Sequence, residues 1–220
     1  MSHKITSLEH GGKMEELNPS LLGSRDYWKE CYQQELENFQ NNGDIGEVWF
    51  GERSVINVVR WLSNSNTFSR SDPILDIGCG NGLILIELAK EGFTNLSGID
   101  YVEEAIHLAR AVSAQEGVKI SYDVGDILQE TQNEIMQNEY KVILDKGTYD
   151  TISLSPNNAK ENRLKYIRNV YQLLEPEGYF ILTSCNWTKE EILSQFTGNN
   201  KFFTCCQLYF NSLSEEIKIN

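Results

Sequence analysis

The stretch ILDIGCGNG, Ile74 to Gly82, sets an aspartate near the end of an apolar run and then three glycines within five residues. Glycine in a strand-to-helix turn permits positive φ and lets the backbone approach a ligand held at the helix N-terminus. A dinucleotide turn would read GxGxxG, but its third glycine position is occupied by Leu83. Asp76 would also put negative charge beside a pyrophosphate, so hydride transfer with NAD is disfavoured.

Three more acids stand at comparable places. Asp100 closes LSGID, Asp126 follows the third strand candidate in a Gly-Asp pair, and Asp145 closes YKVILD. Asp100 is placed to accept hydrogen bonds from two ribose hydroxyls and Asp126 to accept one from an adenine amine. Taken singly, each acid is better read as a helix cap. Four of them at four successive strand ends fit S-adenosylmethionine, an adenosine without phosphate whose sulfonium and ammonium are stabilised by carboxylates. Cys79, inside the turn, is expected to line the pocket without reacting, and His107 is expected to be a surface or packing residue.

The elements that must carry these residues alternate. PILDIG, NLSGID, VKISYD, YKVILD and GYFILTS read as short buried strands, with helical patterns at LILIELAKEG, VEEAIHLARAVSAQEG and NAKENRLKYIRNVYQLLEPEG and a less regular piece around 127–137. Such alternation implies a parallel sheet with the ligand at the carboxyl ends of the strands. Upstream, Trp28, Tyr32, Leu36 and Phe39 recur at helical spacing behind Ser24, a candidate N-cap. A second helix is expected to bury Val55, Val58, Val59 and Leu62. Residues 1–22 are polar and without periodicity, and read as a mobile tail.

The chain of 220 residues is sized for one α/β domain. Its 19 Lys plus Arg against 32 Asp plus Glu leave a net charge of −13, which argues against nucleic acid and fits plain solubility or a basic partner. Cys31, Cys79, Cys185, Cys205 and Cys206 show no metal-ligand spacing, so no metal is expected and reduced thiols in the cytosol are. No apolar run reaches the roughly 18 residues of a membrane span, and the opening lacks a signal-peptide core.

The segments DYWKECYQQELENFQNNGDIGEVWFGE, ILDIGCGNGLILIELAKEGFTNLSGIDY, LDKGTYDTISLSP and SCNWTKEE, in this order, resemble the class I, seven-strand S-adenosylmethionine-dependent methyltransferases. Within them they resemble the lysine methyltransferases of translation elongation factor 1-alpha. The likeness covers about residues 21 to 195; GEVWFGE, DKGTYD and SCNWTKEE are far more selective than the glycine motif. It implies a Rossmann-like α/β fold, a mostly parallel sheet with helices on both faces, in a methyltransferase domain over 23–220. That domain divides into an N-terminal helical segment (23–65), a cofactor-binding β/α core (73–196) and an atypical C-terminus (197–220).

Residue reading and resemblance together give an S-adenosylmethionine-binding set of Trp49, Asp76, Gly78, Cys79, Gly80, Asp100, Tyr101, Asp126 and Ile127. Asp145 is the expected catalytic acid, orienting cofactor and amine before acting as a base. Tyr149, Asn186 and Trp187, joined by Trp49, are expected to line a lysine channel, where aromatic faces favour a cation. The implied partner is a protein, elongation factor 1-alpha, with no nucleic acid or membrane; the chain is expected to be a monomer in the cytoplasm, with the nucleus open.

Family members close with a hairpin that includes an antiparallel strand. Here KFFTCCQLYF has the pattern of one strand and EEIKIN lacks the apolar run of another, so the closing pair is expected to be incomplete. Two other functions remain open at this point: a methyltransferase-fold binding module without turnover, and a small-molecule methyltransferase sharing the cofactor half.

Overall fold

The computed structural model of the protein describes residues 16–129, 133–197 and 207–210. Helix α1 (Arg25–Asn42) starts where Ser24, in extended conformation, accepts a 3.4 Å bond from the Tyr27 N–H, and it stops at left-handed Gly43. Helix α2 (Gly51–Asn64) buries Val55, Val58, Val59 and Leu62, the stripe its spacing predicts. The alternating part follows as β1 (Ile74–Ile77), α3 (Leu83–Lys90), β2 (Leu96–Asp100), α4 (Glu103–Gln115) and β3 (Ser121–Val124). It continues with β4 (Tyr140–Lys146), α5 (Thr148–Ser153), α6 (Ala159–Leu173), β5 (Leu174–Thr183), α7 (Lys189–Thr197) and β6 (Gln207–Phe210).

The six strands form one sheet in the order β3-β2-β1-β4-β5-β6, and every pairing is parallel. Side chains alternate across it. Leu75, Ile77, Ile143, Phe180 and Leu182 face one way, onto Tyr166, Ile167 and Val170 of α6 and Ile192 and Phe196 of α7. Ile74, Val142, Leu144 and Ile181 face the other, onto the α2 stripe and Ile84, Leu85 and Leu88 of α3. Each such side chain contributes roughly 1.5–3 kcal/mol on burial, so this two-sided core fixes where the strands end. Helix α1 lies outside it, with Tyr32 buried beside Ala105, Leu108 and Val112 of α4, and Trp28, Leu36 and Phe39 packed against the same cluster.

Three differences from the expectations are physical. Residues 16–22, read as tail, lie on the domain: Leu17 packs on the core, Glu16 pairs with buried Arg163 at 2.6 Å, and the Ser20 N–H donates to the Leu154 carbonyl. Helices α5 and α7 appear in segments read only as motifs. Strand β5 begins within the run read as the end of a helix, and its register against β4 shifts between Tyr140 and Val142, a region where Pro176 has no N–H to donate. At the C-terminus, the described strand beside β5 is the parallel β6, and the segment expected to leave the closing pair incomplete, Glu215–Ile219, lies outside the described residues.

Candidate active site

The chain runs from β1 outward through β2 to β3, then crosses back to place β4 on the other side of β1. Ligands of open α/β sheets bind at such a reversal, beyond the carboxyl ends of the strands. A cavity of about 350 Å³ opens there. Its floor is the glycine turn, with Gly78 at φ 67° and Gly80 at φ 54°. A Cβ on Gly78 would collide with the Thr148 hydroxyl and one on Gly80 with the Tyr32 hydroxyl, so space as well as conformation demands glycine there. Trp28 and Tyr32 of α1 and the segment Glu47–Phe50 form a wall over that floor. The Trp28 indole fixes this wall by donating to the Leu22 carbonyl at 2.7 Å and meeting the Trp49 ring edge-on at 4.9 Å.

Three buried acids, Asp76, Asp100 and Asp150, line the cavity. Asp100, at the end of β2, accepts from the Gly80 N–H at 3.1 Å and the Val102 N–H at 3.0 Å, one bond per oxygen, which leaves lone pairs for further donors. Burial pushes its pKa up to about 6, against the pull of those backbone bonds. Asp76 is 3% exposed, and its Oδ1 has no hydrogen-bond partner among the described residues. Burial lifts its pKa to about 7, opposed first by the Lys146 ammonium. A buried carboxylate oxygen left bare is costly, and the cost is recovered when a cation or donor occupies the cavity. Lys146, last residue of β4, donates to the Trp49 carbonyl at 3.1 Å, and burial lowers its own pKa.

Of the expected cofactor set, Trp49, Asp76, Gly78, Cys79, Gly80, Asp100, Tyr101 and Ile127 all line this one cavity, and Asn186 lines it from the β5–α7 connection. The Cys79 thiol is buried and raised well above its ordinary pKa, first by desolvation and then by Asp100 and Asp76, so it is a wall and no nucleophile. His107 sits exposed on α4 beside Glu103, as expected.

Four assignments are corrected. Asp145 is 1% exposed and is not on the cavity wall: it accepts from the Thr148 and Tyr149 N–H groups at 2.8 and 3.0 Å and from the Tyr166 hydroxyl, so it caps α5 and ties it to α6. Tyr149 is fully buried, with its hydroxyl on Gln195 at 2.6 Å and its ring between Tyr166 and Phe196. Trp187 is 4% exposed, donates to the Ser153 hydroxyl and stacks under Arg163, again in the core. Asp126 lies off the wall, its oxygens taken by Arg25 at 2.6 Å, Gln129 and the Leu128 N–H.

Lys146, Asp150, Phe50 and Tyr32 also stand on the wall, beyond the site residues expected from sequence. Asp150 accepts from the Ser184 hydroxyl at 2.5 Å and the Cys185 N–H at 2.8 Å, fixing the connection that carries Asn186. Phe50 holds a left-handed backbone (φ 66°) that non-glycine residues rarely adopt. The signal for Lys146 was a cation among strand-end acids; nothing in the periodicity marks Phe50.

Comparison with known proteins places this architecture. A family model described as a methyltransferase domain matches residues 68–217. EEF1A lysine methyltransferase 2 of Danio rerio is 43% identical over 84% of this chain and 78% of its own length. The Homo sapiens protein of that name is 43% identical over 81% of this chain and 75% of its own length. Protein-lysine N-methyltransferase efm4 of Schizosaccharomyces pombe is 38% identical, covering 84% of each chain.

Proposed function

This chain belongs to the methyltransferase family of the EEF1A lysine methyltransferase 2 and efm4 proteins, and on that premise we propose that it methylates a lysine side chain of translation elongation factor 1-alpha. The observation that carries the reading is the meeting, in one apolar cavity, of bare Asp76 Oδ1 and buried Asp100 across a glycine floor with no room for a Cβ. Those residues fit S-adenosylmethionine, which when bound supplies an electrophilic methyl on a sulfonium.

Asp100 is suited to accept from the ribose hydroxyls, Asp76 to face the ammonium, and Tyr101 and Ile127 to flank the base. The other end of the cavity, walled by Phe50, Thr151, Leu154, Cys185 and Asn186, is left for the acceptor. An incoming lysine, of ordinary pKa about 10.4, loses its proton more readily as these walls strip water from it beside a fixed positive charge. Alignment in a dry cavity therefore carries most of the rate, and no wall residue is assigned as a strong base. The net charge of −13 favours a basic protein partner, and no described helix is long and apolar enough to cross a membrane. Free Cys31, Cys79 and Cys185 support a reducing compartment, and we place the enzyme in the cytoplasm.

The test is incubation of a lysate with radiolabelled S-adenosylmethionine and this protein. The label is expected on elongation factor 1-alpha; label on metabolites alone would favour a small-molecule enzyme and overturn the reading.

A further inference from the structure

Asp76 and Asp100 suit the positive groups of the cofactor and repel its one negative group, the α-carboxylate of the methionyl end. That group needs a donor on the same wall. Among the described residues, Lys146 is the only Lys or Arg lining the cavity. Its place is set by register: Asp76 pairs with Leu144 and Ile77 with Asp145, so two residues beyond Leu144 the Lys146 side chain falls on the Asp76 face of the sheet. An ammonium carries three donors, and one of them goes to the Trp49 carbonyl at 3.1 Å. The same tryptophan holds a second unspent donor, since its buried indole Nε1 has no partner among the described residues. Two donor groups without full partners and one bare acceptor, Asp76 Oδ1, thus belong to residues that line one cavity, the pattern that a bound zwitterion would complete.

We propose that Lys146, assisted by the Trp49 indole N–H, binds the α-carboxylate of the cofactor's methionyl end while Asp76 faces its α-ammonium. The assignment rests on the reading of the cofactor as S-adenosylmethionine. It also gives the Lys146–Trp49 carbonyl bond a purpose: the lysine that reads the carboxylate also holds the Glu47–Phe50 wall against the sheet.

The test compares two probes by calorimetry: S-adenosylhomocysteine and its decarboxylated analogue, which keeps the amine and lacks only the carboxylate. The natural protein is expected to bind S-adenosylhomocysteine at least about tenfold more tightly, as befits a charge-assisted contact. Lys146→Gln, which can still donate to the Trp49 carbonyl, should lose most of that preference while binding the analogue almost as before. Trp49→Phe, which keeps a ring and drops the N–H, should reduce the preference several-fold. Equal affinity of the natural protein for both probes overturns the proposal, and this arm needs no variant to fold. Equal weakening of both probes by Lys146→Gln overturns it as well, because the lysine would then be only a strut for the wall. Failure of folded natural protein to bind either probe would sink the cofactor reading itself, an outcome distinct from both.

Discussion

Asp76 should be a residue that the empty fold would be more stable without. Its carboxyl ordinarily titrates near 3.8 and stands at about 7 in the folded protein, chiefly because burial penalises the charge. A raised native pKa means the folded state holds its proton while the unfolded state has already released it. The stability it contributes is complete below about pH 4, is lost as pH rises, and is gone above about pH 7. A pKa raised by about three, at about 1.36 kcal/mol for each pH unit, sets an upper bound of roughly 4 kcal/mol on that loss. Asp76→Asn removes the charge but leaves Lys146 without its nearest acid, so the net gain at pH 8 should be about 2 kcal/mol. For a chain of this size that corresponds to a rise of about 4–8 °C in Tm. Near pH 4 the variant and the natural protein should melt together. S-adenosylhomocysteine affinity, measured by calorimetry at pH 8, should meanwhile fall at least about tenfold. A variant that melts lower by the same amount at every pH would make Asp76 a structural cap and refute this reasoning.

The corrected assignments give further expectations. Asp145→Ala should destabilise the protein by about 3 kcal/mol or more, because two backbone N–H groups and the Tyr166 hydroxyl lose a buried acceptor. Any residual folded fraction should bind S-adenosylhomocysteine normally; selective loss of binding with an unchanged Tm would restore Asp145 to the site. Gly80→Ala should weaken S-adenosylhomocysteine binding about tenfold or more, since its Cβ meets the Tyr32 hydroxyl, and Tyr32→Phe in the same chain should recover part of the loss. If Tyr32→Phe restores nothing, the turn is limited by φ alone.

The fold was legible because its signals repeat. Four strand ends, the α1 cap at Ser24 and the α2 stripe follow from alternation and spacing that packing then obeys. Most of the cofactor half of the site was legible for the same reason, a residue in a glycine turn or at a strand end being placed by the strand, whereas Asp126, two residues past the end of β3, is held by Arg25 off the wall. The directions of single side chains were not legible, because they depend on register and tertiary packing. Asp145 and Lys146 are neighbours at the end of β4, and register sends the first toward Tyr166 and the second toward Asp76. Sequence chemistry favoured the acid, and register puts the lysine on the cavity wall. Tyr149 was misplaced through a helix of only six residues, and Trp187 through the irregular connection between β5 and α7, both of which carry little periodicity. Trp49 was legible as a site residue, whereas its unpartnered Nε1 depends on tertiary contacts with Trp28 and Lys146.

Transfer of a methyl group to a lysine of elongation factor 1-alpha can be followed with purified components. The protein, the factor and S-adenosylmethionine are incubated together, and the factor's peptides are read by mass spectrometry. Methyl groups are expected on a lysine of that factor, appearing only when all three components are present and falling away with Asp76→Asn. An unmodified factor in the presence of folded, cofactor-binding enzyme, or methyl groups found on arginine instead of lysine, would contradict it.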